Sequence, residues 1–340
     1  MGFDSLTGQE AVKSRLKSIT ANAGSCSLLF SGPEGIGKHL FAREAAKAVL
    51  CKDRKADGAC GVCPSCKYIE AGTHPDFIEV EPTDGRKNIR IADLREVVRD
   101  AEVKPQISDY KVIVINADKT SSDCQNLMLK SLEEPSSHLV YILICSDTSR
   151  LLPTILSRVT ELNFNSYTDE QLIEILRKNG AVDESDDRLR FISSFSSRIP
   201  GKALALLNDA DFIEERDYIF DLVMRLPNLK FTDILYDEYQ YFEKNNDKID
   251  ELLLLLIWTL GDIASAIAVP DPGEIKNSDK KDEIIRFVSE NKGVTLVNIS
   301  NAENAVMEFI KGAKVNVTFE ANCCNMLLGI FKELRNEKNS

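Results

Sequence analysis

The chain has 340 residues, 43% of them hydrophobic and 28% charged, which gives room for two or three domains with sizeable cores and an ordinary globular composition. A formal charge of −12 argues against a free-standing nucleic-acid binder, because affinity for phosphates comes from Lys and Arg. Met1–Gln9 shows no basic region followed by an apolar run, so the nine cysteines are expected to be reduced thiols in a cytoplasmic compartment, and a cluster of them reads first as metal ligands.

From Leu6 to about Asn165 the pattern alternates strands and helices. Ser27–Ser31 is a short apolar run that leads directly into Gly32-Pro-Glu-Gly-Ile-Gly-Lys38-His39, and Leu40–Leu50 has helical composition. This is the strand–loop–helix context of a phosphate-binding loop, G-x-x-x-x-G-K-[ST]. In that loop backbone N–H groups cradle phosphates, the Lys neutralises them and the hydroxyl ligates Mg²⁺. Gly32, Gly35, Gly37 and Lys38 supply the cradle, but His39 stands where the hydroxyl belongs. Mg²⁺ prefers oxygen ligands, whereas imidazole suits zinc, copper or iron. Mg²⁺ is therefore not expected here; ATP or ADP held without it and an empty loop are both compatible with these residues.

Next come Cys51, Cys60, Cys63 and Cys66, four thiols within sixteen residues on a Gly- and Pro-containing stretch able to wrap a tetrahedral ion. An iron–sulfur run would need a cysteine at position 70, where Glu70 stands, so Zn²⁺ is favoured. Four Cys ligands leave no open position, which makes the role structural. The other five cysteines read as small apolar core residues.

Phe77–Val80, Lys111–Ile115 and Leu139–Ile144 are further strands, and Ile91–Ala101 and Ser121–Leu132 are helices. Together they predict a parallel sheet covered on both faces. Gly85–Arg90 is a basic loop. Alone it reads as a solvated face, but in a ring threaded by DNA its Arg86 and Lys87 could touch phosphates non-specifically. Where a P-loop ATPase needs Asp-Glu after its strand, this chain has Asn116-Ala117, and the displaced Asp118 reads as a turn or cap residue. With His39 this makes two losses on one metal site, so hydrolysis by this chain is not expected. Arg158, behind the fourth strand, is either a surface Arg or a finger for a neighbour's γ-phosphate. His74 and His138 have no partner spacing and are assigned no chemistry.

After Asn165 the pattern is helical. Thr168-Asp-Glu-Gln171 is a capping box, and Gly180 is a stop after Arg177-Lys178. Helices are expected at Ala203–Leu207, Phe212–Met224, Lys248–Ile267, Lys281–Asn291, Thr295–Ile310 and Phe319–Arg335, with a mobile loop at Pro270–Lys280. Leu252–Val269 is apolar enough to span a membrane, but Asp262 would cost roughly 3 kcal/mol at a bilayer centre. A buried helix is expected instead.

Leu6-Thr-Gly-Gln9, the loop Gly32–Lys38, the four-Cys insert, Asn126-Leu-Met-Leu-Lys-Ser-Leu-Glu-Glu-Pro135 and Ser157-Arg158, in this order, resemble the clamp-loader branch of the AAA+ family. The resemblance is good over residues 1–165 and architectural beyond. It implies an α/β RecA-like AAA+ domain (1–165) with an inserted zinc module (51–66), a small helical lid domain (166–210) and an all-α C-terminal collar (211–340) that holds a ring together. Motor subunits of this branch keep the hydroxyl after the loop Lys, an Asp-Glu pair and an Arg two residues before the lid's Ala-Leu. Here those places hold His39, Asn116-Ala117 and Gly201, the last ahead of Ala203-Leu204, while Arg158 survives. The resemblance thus implies a non-motor subunit of the DNA polymerase III holoenzyme that helps load the sliding clamp onto primed DNA and lends Arg158 to a neighbour's ATP. The implied partners are gamma/tau and delta subunits, the clamp and primer–template DNA within the ring, with no membrane. The alternatives are a gamma/tau-type ATPase with unusual metal ligation, an independent DNA-binding module and an adaptor outside replication.

Overall fold

The computed structural model describes residues 2–21, 24–83, 85–269, 275–313 and 317–335. Five strands, β1 (Cys26–Ser31), β2 (Phe77–Val80), β3 (Lys111–Asn116), β4 (Leu139–Cys145) and β5 (Thr160–Asn163), form one sheet in the order β2-β3-β4-β1-β5. Every pairing is parallel. β4 is buried along its whole length and β3 along all but its last residue, as central strands covered on both faces must be. β5 was not expected from the sequence. Only Leu162 of its four residues is buried, and its strand character comes from pairing with β1, Leu28 opposite Thr160 through Ser31 opposite Asn163.

The helices of this half are α1 (Glu10–Ala21), α2 (Lys38–Leu50), α3 (Pro64–Glu70), α4 (Ile91–Ala101), α5 (Ser122–Glu133), α6 (Pro153–Leu156) and α7 (Asp169–Lys178). Leu94, Met128 and Leu132 of α4 and α5 join Ile113, Tyr141 and Leu143 of the sheet in one core. α1 and α3 were not anticipated. α7 carries the expected capping box, with the Thr168 hydroxyl and the Gln171 side chain each accepting the other's backbone N–H.

The remaining helices are α8 (Asp186–Phe195), α9 (Pro200–Asn208), α10 (Ala210–Arg225), α11 (Phe231–Asp233), a π-turn at Ile234–Glu238, α12 (Tyr239–Lys244), α13 (Ile249–Ala268), α14 (Lys281–Glu290), α15 (Leu296–Gly312) and α16 (Phe319–Leu334). The chain divides into two compact units, Met1–Val182 with Phe195–Ala205 and Asp183–Ser194 with Leu206–Ser340. The 166–210 stretch is thus shared between them.

In the second unit α13 contacts α10, α14 and α15 and buries Leu252, Leu253, Leu255, Leu256, Trp258, Leu260 and Ile263. It is the one helix among the described residues long and apolar enough to cross a membrane, and half of that apolar window is buried in the fold. Its buried Asp262 accepts backbone N–H bonds from Lys276 at 2.8 Å and Asn277 at 2.9 Å, and a third from Asn277 Nδ2 at 2.7 Å. Those bonds anchor the second part of the loop expected to be mobile; residues 270–274 lie outside the described residues.

Candidate functional site

Parallel sheets bind ligands beyond the carboxyl ends of their strands. Here that edge assembles the Gly32–Lys38 loop after β1, Asn116–Asp118 after β3, Ser146 after β4 and Phe164-Asn165 after β5. Gly32, Gly35 and Gly37 have φ of 141°, 81° and 107°, a region that only glycine enters freely. At Gly32 a Cβ would also lie 2.4 Å from the Phe164 carbonyl oxygen. The Leu6–Gln9 motif braces the same corner, with the Gln9 amide donating to the Asn165 carbonyl at 2.6 Å and accepting from its N–H at 3.3 Å.

Lys38, the first residue of α2, does not point outward. Its ammonium donates to the carbonyls of Gly32 at 2.5 Å and Pro33 at 2.8 Å. It is buried, and burial lowers its pKa against the opposing pull of Asp118, Cys145 and Glu34. On the other side of the loop the Gly201 N–H donates to the Gly35 carbonyl at 2.9 Å.

The metal side of the loop is occupied by a polar cluster that the sequence reading missed. His39 Nδ1 lies 3.3 Å from Glu79 Oε1, and His39 Nε2 lies 3.7 Å from Glu81 Oε1. Arg43 donates to Glu79 Oε2 through Nε at 3.2 Å and Nη2 at 3.0 Å. The His39 hydrogen bond, followed by the Arg43 charge, outweighs burial and holds the Glu79 carboxyl below the usual glutamate range. Asn116 Nδ2 donates to Glu81 at 3.3 Å. The available signal was the i, i+2 spacing of Glu79 and Glu81, which puts both carboxylates on one face at the end of β2. Asp118 is a turn residue, one of the two roles expected: it sits in a 3₁₀ turn, and its Oδ2 accepts the Ser146 N–H at 2.7 Å.

Cys51, Cys60, Cys63 and Cys66 converge, with all four Sγ atoms within 4.8 Å of one another. The Cys51–Cys63 and Cys63–Cys66 separations are 3.9 and 3.5 Å. A tetrahedral thiolate centre with metal–sulfur bonds of about 2.3 Å has edges of about 3.8 Å, so the donor set fits one four-coordinate ion such as Zn²⁺. α3 begins with Pro64 at its first position and carries Cys66, while Cys63 is its N-cap. Burial pushes the Cys66 and Cys51 thiols up. Burial acts the same way on Cys63, but N–H bonds from Cys66 and Lys52 and the adjoining thiols bring it down to about 6. Of the other cysteines, Cys124, Cys145 and Cys323 are buried, whereas Cys26 and Cys324 are only partly so.

Behind this module lies a buried network that spacing did not disclose. Asp76 accepts the backbone N–H groups of Gln106 at 2.6 Å and of Ile107 and Ser108 at 2.9 Å. His74 Nδ1 accepts the Asp76 N–H at 3.0 Å, and His74 Nε2 lies 3.3 Å from the Ser108 hydroxyl. Burial lowers the His74 pKa. The imidazole thus links the Asp76 main chain to the Ser108 hydroxyl.

Arg158 lies just past α6. Its Nη2 donates to Glu133, at the end of α5, and its Nη1 to the Thr154 carbonyl at 2.7 Å and the Ser157 hydroxyl at 3.1 Å. Arg86 and Lys87 are exposed in the loop before α4.

Residues 8–168 match the family described as DNA polymerase III, delta subunit. Over 154 residues the chain is 40% identical to DNA polymerase III subunit delta' of Pseudomonas aeruginosa, covering 45% of this chain and 46% of that protein. Over 311 residues it is 28% identical to DNA polymerase III subunit tau of Bacillus subtilis, covering 85% of this chain and 54% of that protein. The chain therefore spans about half the length of the curated relatives it matches. A solved DNA polymerase III gamma subunit-related protein from Thermotoga maritima overlays on 95% of this chain and 99% of its own, with 16% identity and a TM-score of 0.42.

Proposed function

We propose, on the match of residues 8–168 to the DNA polymerase III delta-subunit family, that the chain is a clamp-loader subunit of the delta-prime type, helping to load the sliding clamp onto primed DNA without turning over ATP itself. The observation that carries this reading is the Lys38 ammonium bonded to two carbonyls of its own loop, where a motor would aim it at phosphate. His39 beside Glu79 and Asn116 on Glu81 support it, since neither pair offers Mg²⁺ the hydroxyl and Asp-Glu set of a motor. ATP or ADP would be held statically, if bound, by the Gly32–Lys38 backbone.

On this reading Arg158 acts in trans. Guanidinium is planar and permanently charged, and it stabilises the charge that develops on a transferring γ-phosphate. The partners are gamma/tau and delta subunits, met through the C-terminal helices as a collar and through the Arg158 face, together with the clamp and primer–template DNA. On this reading the exposed Arg86 and Lys87 meet phosphates only in the assembled ring, because a net −12 chain repels DNA on its own. The four cysteines hold a structural Zn²⁺, and the assembly works in the cytoplasm.

The test is reconstitution with gamma/tau and delta subunits, clamp and primed DNA. Assembly ATPase should rise on adding the wild-type chain and fall by about 10³-fold or more at the served site with Arg158→Ala. Equal rates with and without Arg158 would refute the finger.

A gamma/tau-type motor is the second reading, favoured by an alignment to tau that reaches 85% of this chain, against 45% for delta'. It requires ATP turnover by the purified chain alone.

A further inference from the structure

The last turn of α5 carries Glu133, followed by Glu134 and Pro135. Carboxylates are disfavoured at a helix C-terminus, where the unpaired carbonyls already concentrate negative charge. Pro135 prevents the helix from continuing and moving that end away. The cation that answers this charge is Arg158, whose Nη2 donates to Glu133 while Nη1 is held by Thr154 and Ser157. The guanidinium Nε is buried and meets no acceptor among the described residues. The Arg158 side chain is 30% exposed, against 48% for Glu133. The Arg158 fork thus lies between the end of α5, at Glu133, and α6 with Ser157.

We infer that Glu133 is a positioning residue that parks Arg158, and that breaking this ion pair is a step in the finger's engagement with a neighbouring triphosphate. The inference rests on the reading of Arg158 as a trans-acting finger. A partly exposed ion pair holds only weakly, whereas a triphosphate offers several negative charges and pairs of oxygens that can accept two parallel N–H bonds from the guanidinium fork. The exchange is therefore reversible, and it keeps the guanidinium from other anions when no neighbour is docked.

Two measurements test it. In the isolated full-length chain, phenylglyoxal labelling of Arg158, read by mass spectrometry, should be about two- to five-fold faster in Glu133→Gln than in wild type. That advantage should shrink as NaCl rises, because screening loosens the wild-type pair. In the reconstituted assembly, Glu133→Gln should lower the ATP concentration for half-maximal hydrolysis by a similar factor. Unchanged labelling, or ATP dependence equal to or weaker than wild type with an unaltered thermal melt, would overturn the parking. If Arg158→Ala abolishes the stimulated hydrolysis and Glu133→Gln does nothing, only the parking fails. If Arg158→Ala hydrolyses like wild type, the finger reading fails, and the labelling still decides whether Glu133 holds the guanidinium.

Discussion

Gly201 and Gly35 meet backbone to backbone: the Gly201 N–H donates to the Gly35 carbonyl at 2.9 Å, and a Cβ on Gly201 would lie 2.8 Å from the Gly35 Cα and 3.0 Å from its oxygen. The first residues of α9 thus close against the phosphate loop with no side chain between them. On the proposed reading, Gly201 stands where a motor subunit would carry an arginine. Gly201→Ala must push one backbone off the other, and neither can swing away as a flexible side chain would. We expect a loss of about 1–3 kcal/mol in unfolding free energy, the usual cost of overpacking. The check is the urea midpoint of Gly201→Ala against that of Gly261→Ala, a helical glycine whose Cβ would meet only Glu303 Oε1, at 4.0 Å.

His39→Thr restores the hydroxyl of the loop pattern, yet ATP turnover by the isolated chain should stay at background. The new hydroxyl faces no Asp-Glu pair, because Asn116 and Ala117 occupy those places, and Lys38 remains bonded to the Gly32 and Pro33 carbonyls. The lost contact is to a partly exposed Glu79, so stability should change by no more than about 1 kcal/mol. Steady-state phosphate release with Mg²⁺-ATP checks this. Turnover in the single variant would favour the motor reading.

Much of this architecture was legible because the sheet is built from apolar runs that have only one use. β2, β3 and β4 appear within a residue of their expected limits, since near-continuous Val and Ile between helical segments must become buried parallel strands. β5 was not legible, because Thr160–Asn163 has one apolar inward residue and owes its strand character to β1. The Cys cluster was readable from spacing alone, since its four thiols lie within sixteen residues. The His39–Glu79–Glu81 cluster was hidden because its members are forty residues apart and meet only through the β2–α2 geometry. Asp76 was hidden for a related reason: its partners are backbone N–H groups, which carry no side-chain signature.

Glu79 should give the fold an acid-sensitive contribution. Its carboxyl is held below the ordinary glutamate value of 4.5 by the His39 hydrogen bond and Arg43. A carboxyl with a lowered folded-state pKa binds protons more weakly when folded than when unfolded. Its stabilisation is therefore complete above about pH 4.5 and is lost as pH falls through the folded value. Glu79→Gln removes this contribution, so wild type should exceed the variant in stability at pH 7, and the gap should close below pH 4.5. Denaturant unfolding of both proteins across pH 3–7 measures the gap; one that widens towards acid would mean the carboxylate is not held by these partners.

Removal of metal should act locally before it acts globally. The four thiols surround one centre, and two of them, Cys51 and Cys66, are buried, so without a cation the module must bring together thiols that repel once ionised. The purified chain should carry about one Zn²⁺, without the visible absorption of an iron–sulfur cluster. Chelation or Cys63→Ser should release it. Hydrogen exchange should then quicken across residues 51–70, where α3 depends on Cys63 as its N-cap and Cys66 as its buried anchor. β3 and β4 should keep their protection, because their core is made by α4 and α5 and includes none of the four cysteines. Ser65 transmits part of the loss, since its hydroxyl lies 3.4 Å from that of Ser108 in the Asp76 network, so the 106–108 amides should be the next to loosen. Uniform loss of protection over the whole first unit would show that the metal supports the sheet itself, and an unchanged exchange pattern would show that the four thiols hold no structural ion.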